Sequence, residues 1–411
     1  MKKDTLKVTI RGPLRDLWRF ITHISERRRV FRRSSAERPG EKHSIRLRQS
    51  LHPEVQFLLI DKIQAENDSS NSYTLIPDTS QPGSVSIAAF RAGQYLSVEV
   101  QLESGLKINR PYSISNSPEE ARRDNAYVIT VKADKDSFIP EVMVKSWEVG
   151  TSLKVSDPWG QFYHNPLRDA EHLVFIAGGS GITPFRSMVG DILSKHKNIS
   201  IVLIQGAAVS EELLFSDFFL TLEKSNPERF KWIPVLSETS DTEGRIKHTV
   251  LSGFIDGGIL AEATDSRKSS FFICGPQAMH LHIDKELVKA ELNPMRIRRE
   301  DYGIPGKPAG REPVQITVKM AGSTHIISAD RDETVLVALE RGGLNPPSRC
   351  RTGSCGWCRG SLLEGKIRYD KEPEGLRSAD RKAGYFHPCA AKPESNLVVD
   401  IPGNPGFNTD K

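Results

Sequence analysis

Four of the chain's five cysteines, Cys350, Cys355, Cys358 and Cys389, lie in its C-terminal quarter. Read as C-x4-C-x2-C with a distant fourth member, they have the spacing of [2Fe–2S] ligands: a short loop wraps one edge of the cluster with three thiolates, and a remote strand supplies the last. Zinc is the competing metal, but its structural sites usually use two C-x2-C-like pairs, and only one such pair is present here. Disulfides are the other alternative, and nothing in the chain suggests secretion. The expected metal ligands are therefore Cys350, Cys355, Cys358 and Cys389.

Two other stretches could do chemistry. Arg110-Pro-Tyr112-Ser113 offers, within one strand, a cation for a phosphate, a flat ring for stacking and a hydroxyl donor. His172-Leu-Val-Phe-Ile-Ala reads as a buried strand, and it runs into Gly178-Gly179-Ser-Gly181-Ile-Thr183-Pro184. Glycines at such a turn let backbone N–H groups approach a pyrophosphate lying on the N-terminus of the following helix. This is G-G-x-G-x-x-P rather than the full dinucleotide fingerprint. A second strand-to-helix turn, Cys274-Gly275-Pro276, falls where open parallel sheets bind ligands, although a lone cysteine there could equally be a plain buried thiol.

The elements that must hold these residues change character along the chain. Residues 1–50 carry 15 Lys/Arg against 5 Asp/Glu, while the remainder carries 42 against 47, so the net charge of +5 is local to the arm. Leu14, Leu17, Trp18, Phe20, Ile21 and Ile24 recur at helical spacing behind Pro13, and Arg27, Arg28, Arg29, Arg32 and Arg33 follow. An acidic partner, an anionic membrane surface and a strap packed on the next domain are the readings of this arm, and the strap is favoured. No fold motif supports nucleic-acid binding. No run of eighteen apolar residues occurs and no apolar leader follows the first charges, so a cytoplasmic protein is expected.

From about Val55, short alternating runs separated by turns predict an antiparallel β-barrel. An α/β alternation with further strands at Ser200, Phe230 and Ser270 follows, which predicts a parallel sheet. Residues 303–313 form a linker by composition. Beyond them, alternating Val314, Ile316 and Val318 pair with His325-Ile-Ile as a hairpin, and a helix over residues 333–341 stops at Gly342-Gly343. The expected domains are an arm (1–50), an antiparallel β-barrel (51–166), a nucleotide-binding α/β domain (167–302), a linker (303–312), an α+β [2Fe–2S] domain (313–403) and a tail (404–411).

In this order the pieces resemble the ferredoxin–NADP reductase superfamily, specifically flavin-dependent NAD(P)H reductases with a C-terminal plant-type ferredoxin domain. The resemblance covers roughly residues 52–403 and rests on Arg91-Ala-Gly93-Gln94-Tyr95, Arg110-x-Tyr112-Ser113, the Gly178–Pro184 turn, Cys274-Gly275-Pro276-x-x-Met279 and the four cluster cysteines. It implies that the barrel binds a flavin and that the last domain is a β-grasp. It further implies that Arg110 holds a flavin phosphate, Tyr112 stacks on the isoalloxazine and Ser113 reaches its N5. Thr183 and Cys274 would face the nicotinamide, and Gly178, Gly179 and Gly181, with Pro184, Gly275 and Pro276 beside them, would shape the dinucleotide site. Ile297-Arg-Arg-Glu300-Asp-Tyr302 resembles the family's closing segment, which places Glu300 and Tyr302 at the flavin. Tyr112, Ser113, Cys274 and Glu300 are the expected catalytic set.

The chain departs from the family at Asp136-Ser137-Phe138-Ile139-Pro140, where relatives carry a glycine-rich flavin-pyrophosphate turn and a proline has no N–H to donate. FAD is the expected flavin, with FMN the alternative. NADH is expected over NADPH because Glu211, Glu212 and Glu238 would repel a 2′-phosphate, with Arg245 and Lys247 as the opposing residues. The resemblance further implies a redox acceptor protein, an oxygenase, demethylase or other metalloenzyme, which makes the chain the reductase of a multi-component system. A non-catalytic electron-transfer subunit of a larger complex is the alternative. Residues 349–389 carry nine Lys/Arg and five Asp/Glu, and Arg349, Arg351 and Arg359 border the cysteine loop, so an acidic docking partner is expected.

Overall fold

The computed structural model describes residues 55–82, 84–133, 138–238, 248–263, 268–289, 293–301 and 312–403, with position 53 and scattered positions between 12 and 29. It divides into two units, 1–50 and 51–411. In the first, the described residues from 14 to 29 are helical, as their periodicity predicts, and Leu14, Leu17, Trp18 and Ile21 are exposed. Among the described residues no helix is long and apolar enough to cross a membrane.

The second unit begins with six antiparallel strands: β1 (Val55–Asn67), β2 (Ser70–Pro77), β3 (Tyr95–Gln101), β4 (Lys107–Ser113), β5 (Tyr127–Lys132) and β6 (Ser152–Ser156), in the order β4-β3-β6-β1-β2-β5. A bridge between Ile114 and Ile129 joins the two edges and closes the sheet into a barrel. Leu58, Leu75, Val98, Ile129 and Val155 fill its interior. Pro111 is tolerated because β4 ends the ladder, where a missing N–H costs little. Two helices, α1 (Pro118–Asp124) and α2 (Phe138–Ser146), lie on the barrel. Ser117 and Glu120 close a capping box at the start of α1.

Next come six parallel strands with helices between them. In sheet order they are β10 (Leu251–Ser252), β9 (Phe230–Leu236), β8 (Ser200–Ala207), β7 (His172–Gly178), β11 (Ser269–Gly275) and β12 (Ile297–Asp301). Helices α3 (Thr183–Lys195), α4 (Ser216–Ser225), α5 (Gly257–Ala263) and α6 (Gln277–Lys289) pack on the two faces. Phe175, Phe185 and Trp232 belong to the apolar cluster of one face, and Ile176, Ile273 and Ile283 to that of the other. Both faces of the central strands are covered, so β7 and β11 are buried runs rather than alternating ones, whereas the edge strand β12 is polar and half-buried.

The C-terminal part is α+β. Its five-stranded sheet runs β14-β13-β19-β15-β17, from β13 (Val314–Met320), β14 (Ser323–Ala329), β15 (Gly360–Glu364), β17 (Tyr385–Phe386) and β19 (Leu397–Ile401). The expected hairpin is present, with Val318 opposite His325. Helix α7 (Val335–Arg341) is capped by Thr334, so it starts slightly later than the spacing predicts, and it ends at Gly342. Strands β16 (Ile367–Tyr369) and β18 (Ala391–Pro393) pair separately, and α8 (Ser378–Lys382) completes the fold.

Candidate redox active site

Strand register brings the first residues together. In β7, β11 and β12 the parallel ladder sets Ala177 beside Cys274 and Cys274 beside Glu300, so one carboxyl edge carries the glycine turn, the thiol and the carboxylate. Glu300 Oε2 lies 3.9 Å from Cys274 Sγ and accepts from Ser113 Oγ at 3.4 Å, which joins that edge to the end of β4. Burial pushes the Glu300 carboxyl up to about 8, with the hydrogen bond from Ser113 opposing and the Cys350 thiolate adding to the shift. Cys274 is fully enclosed, and its carbonyl oxygen leaves no room for a side chain at Gly181.

The three glycines of the turn do different work. A Cβ on Gly178 would meet Met279 Sδ at 2.6 Å and one on Gly181 would meet the Cys274 carbonyl at 2.2 Å, so both permit close packing of turn, strand and helix. Gly179 has φ +53°, and the nearest atom to a Cβ there would be Lys132 Nζ at 4.0 Å. Gly179 therefore has the open side on which a phosphate could lie. Thr183 and Pro184 form the first turn of α3, with Thr183 Oγ1 donating to the Ser180 carbonyl at 2.6 Å. Gly275 packs against Met279 as Gly178 does, and Pro276 stands exposed just before α6.

On β4, Arg110 and Tyr112 share a face by the two-residue period, and Ser113 takes the other. Tyr112 packs on the barrel core and donates its hydroxyl to Met143 Sδ of α2 at 3.0 Å. The departure at Pro140 is thus harmless to the backbone, because Pro140 sits in the first turn of α2, where its N–H would lack an intrahelical partner. Burial, reinforced by the neighbouring Arg351 cation, lowers the Arg110 guanidinium to about 10 against the pull of Glu340.

The cysteine loop closes over these groups. Cys358 Sγ and Cys389 Sγ are 3.3 Å apart, Thr352 and Cys355 N–H donate to Cys350 Sγ at 3.4 Å each, and Trp357 N–H donates to Cys355 Sγ at 3.4 Å. Four neighbouring sulfurs, two of them with backbone donors aimed at them, suit thiolates that hold an iron–sulfur cluster. Left-handed backbone at Gly353 and Gly356 makes the tight wrap, and His387, buried, is hydrogen-bonded to the Gly353 carbonyl at 2.9 Å. A cavity of about 730 Å³ lies between the three parts, and its walls include Tyr95, Ser113, Glu300, Cys350, Cys355 and Cys389. The Tyr95 hydroxyl on its wall is buried and has no hydrogen-bond partner among the described residues. These walls suit a flavin ring system, whereas Arg110 and Tyr112, on the other face of β4 from Ser113, are not among them.

Two of the three arginines bordering the loop are turned inward and add nothing to an exposed basic rim. Arg349 and Arg351 have side chains only 4% and 8% exposed. Arg349 pairs with Asp157 at 3.1 Å and lies over the Trp357 ring at 3.8 Å and the Trp159 ring at 5.2 Å. Arg351 pairs with Glu340. Of the three, Arg359 alone is well exposed, and it pairs with Asp380. Two of the three cations thus bind the loop to its own chain. Spacing alone missed Glu340, Asp157 and Trp159; Tyr95 was visible only as part of its Gly-Gln-Tyr strand. Tyr302, Arg245, Lys247, Asp136 and Ser137 lie outside the described residues.

These features define an NAD(P)H-dependent oxidoreductase that moves electrons through a flavin and a [2Fe–2S] cluster. Comparisons with known proteins agree. The model of the oxidoreductase NAD-binding domain matches residues 175–285, and that of the 2Fe-2S iron-sulfur cluster binding domain matches residues 318–394. A component of the 1,2-phenylacetyl-CoA epoxidase of Escherichia coli is 29% identical over 76% of this chain and 88% of its own. The ferredoxin reductase component of 3-ketosteroid-9-alpha-monooxygenase from Mycobacterium tuberculosis is 27% identical over 84% and 95%. The solved structure of phthalate dioxygenase reductase, at 23% identity, shares the fold with a TM-score of 0.59 over 84% of this chain and 98% of that one. The chain thus carries an oxidoreductase NAD-binding domain and a 2Fe-2S cluster binding domain, and its cofactors are FAD or FMN, NAD(H) and one [2Fe–2S] cluster.

Proposed function

We propose that this chain is the reductase component of a multi-component system, taking reducing equivalents from NADH and delivering them singly to a separate oxygenase, demethylase or other metalloenzyme. The observation that carries the proposal is the shared cavity, where Ser113 and Glu300 face Cys350, Cys355 and Cys389. The relatives that serve epoxidase and monooxygenase systems support the same partner class. A bound flavin would accept two electrons as a hydride and release them one at a time, which a [2Fe–2S] cluster requires.

In this reading Arg110 binds the flavin phosphate, Tyr112 supports the ring and Ser113 orients its reactive edge. Glu300 keeps a proton beside Ser113 at neutral pH, so no buried negative charge opposes an incoming hydride. Gly179, with Thr183, Pro184, Gly275 and Pro276 around it, receives the dinucleotide, and Cys274 lies where the nicotinamide ring would meet Ser113. Cys350, Cys355, Cys358 and Cys389 hold the cluster. The domain limits are those set out from the sequence, and a cytoplasmic location follows from the same reading. In this reading the acceptor docks at the outer edge of the cysteine loop, where Arg359 and Arg377 share the one carboxylate of Asp380 and Arg381 pairs with Glu372.

The test is NADH-dependent reduction of cytochrome c by the purified, cofactor-loaded chain. Turnover is expected, and its absence with flavin and cluster both present would favour the non-catalytic alternative. In Cys358→Ser the rhombic [2Fe–2S] EPR signal should vanish while NADH still bleaches the flavin; a normal signal would refute the ligand set.

A further inference from the structure

Four groups meet where the cysteine loop touches β4. Arg351 grips the Glu340 carboxylate with both terminal nitrogens, at 2.6 and 2.8 Å. Arg110 approaches the same carboxylate at 3.6 Å. Both guanidiniums also donate to one backbone carbonyl, that of Asn109, Arg110 at 3.0 Å and Arg351 at 3.3 Å. Glu340 is nearly enclosed, with its side chain 7% exposed. Among the described residues two cations thus share one carboxylate and one carbonyl, which leaves one positive charge in excess in a site where burial makes it costly.

We propose that Glu340 is a positioning residue that couples phosphate binding at Arg110 to docking of the loop that carries Cys350. The inference rests on the reading of Arg110 as the flavin-phosphate cation. Without the phosphate, Arg110 competes with Arg351 for Glu340 and for the Asn109 carbonyl. A phosphate neutralises the surplus charge and draws Arg110 toward itself, which leaves both acceptors to Arg351. Arg351 has φ +61°, a left-handed backbone that a non-glycine residue keeps only under restraint, and it is covalently next to Cys350. Tightening its grip therefore holds the first cluster cysteine against the flavin cavity. Because coupling is reciprocal, the docked loop also strengthens phosphate binding.

The experiment uses the full-length, cluster-loaded chain stripped of flavin. It is titrated with FMN, with FAD and with riboflavin, which has the ring but no phosphate, and amide hydrogen exchange is followed over residues 349–356. In the wild type the phosphate-bearing flavin should slow exchange in the loop at least about fivefold, the lower end of ordinary coupling, and riboflavin less than about twofold. In Glu340→Gln the phosphate-dependent difference should disappear, while flavin still binds and the EPR signal of the reduced cluster is unchanged. Should Glu340→Gln fail to assemble the cluster, Arg351→Lys keeps the charge but loses the two-nitrogen grip, and the difference should fall by more than half. The full wild-type difference in these variants, or an equal slowing by riboflavin, would overturn the coupling. Failure of every flavin to bind would instead overturn the flavin reading of the cavity.

Discussion

At neutral pH the Glu300 carboxyl holds its proton, because burial beside Ser113 moves it to about 8. An unfolded glutamate titrates near 4.3, so folding favours the neutral form. Its contribution to stability is complete below about pH 4 and is lost as pH rises to about 8, where the folded chain must enclose a carboxylate. Glu300→Gln removes this titration. The unfolding midpoint of the flavin-free variant, relative to wild type, should therefore rise by a few degrees between pH 5 and pH 8.5; a constant difference would show that Glu300 titrates normally. The glutamate was legible in the chain through its place in Ile297-Arg-Arg-Glu300. Its protonation was not, since the burial comes from β4, β11 and a cysteine loop fifty residues away.

Among the elements, the turn between β7 and α3 separates packing from binding. At Gly181 an added methyl would strike the Cys274 carbonyl, and neither strand can yield without losing its ladder, so Gly181→Ala should cost on the order of 1–3 kcal/mol. It should be read as a lower unfolding midpoint. Gly179→Ala meets open space but must adopt φ +53°, at a cost of about 1–2 kcal/mol. Its main expected effect is a several-fold rise in KM for NADH, measured by steady-state kinetics. The glycine run alone could not assign these roles, because the distinction depends on β11 lying against the turn. Helix α7 teaches a related lesson: its apolar spacing was legible, whereas the partners of Glu340 on its last turn arrive from two other parts of the fold.

For the whole molecule, every residue assigned here to a cofactor belongs to the unit 51–411. Removal of residues 1–50 should leave NADH oxidation and flavin content within about twofold of the full chain if the arm is a docking device, and a large loss of flavin is the outcome expected of the strap. The seam between barrel and ferredoxin parts should be more sensitive. Arg349→Met breaks the ion pair with Asp157, and losing one member of a buried pair costs about 3–5 kcal/mol. Transfer from flavin to cluster, followed by stopped-flow absorbance, should slow while flavin reduction by NADH does not.

The sequence by itself determined the order of the parts, the chemistry of each and the four sulfurs, because strand alternation, glycine turns and ligand spacing are local and survive without a fold. Only the tertiary structure decided that Arg349 and Arg351 face inward, that burial raises the Glu300 carboxyl and that Glu340 meets both Arg110 and Arg351. Charge and burial at those positions are set by residues far away in the chain, and no local pattern encodes who the neighbours are.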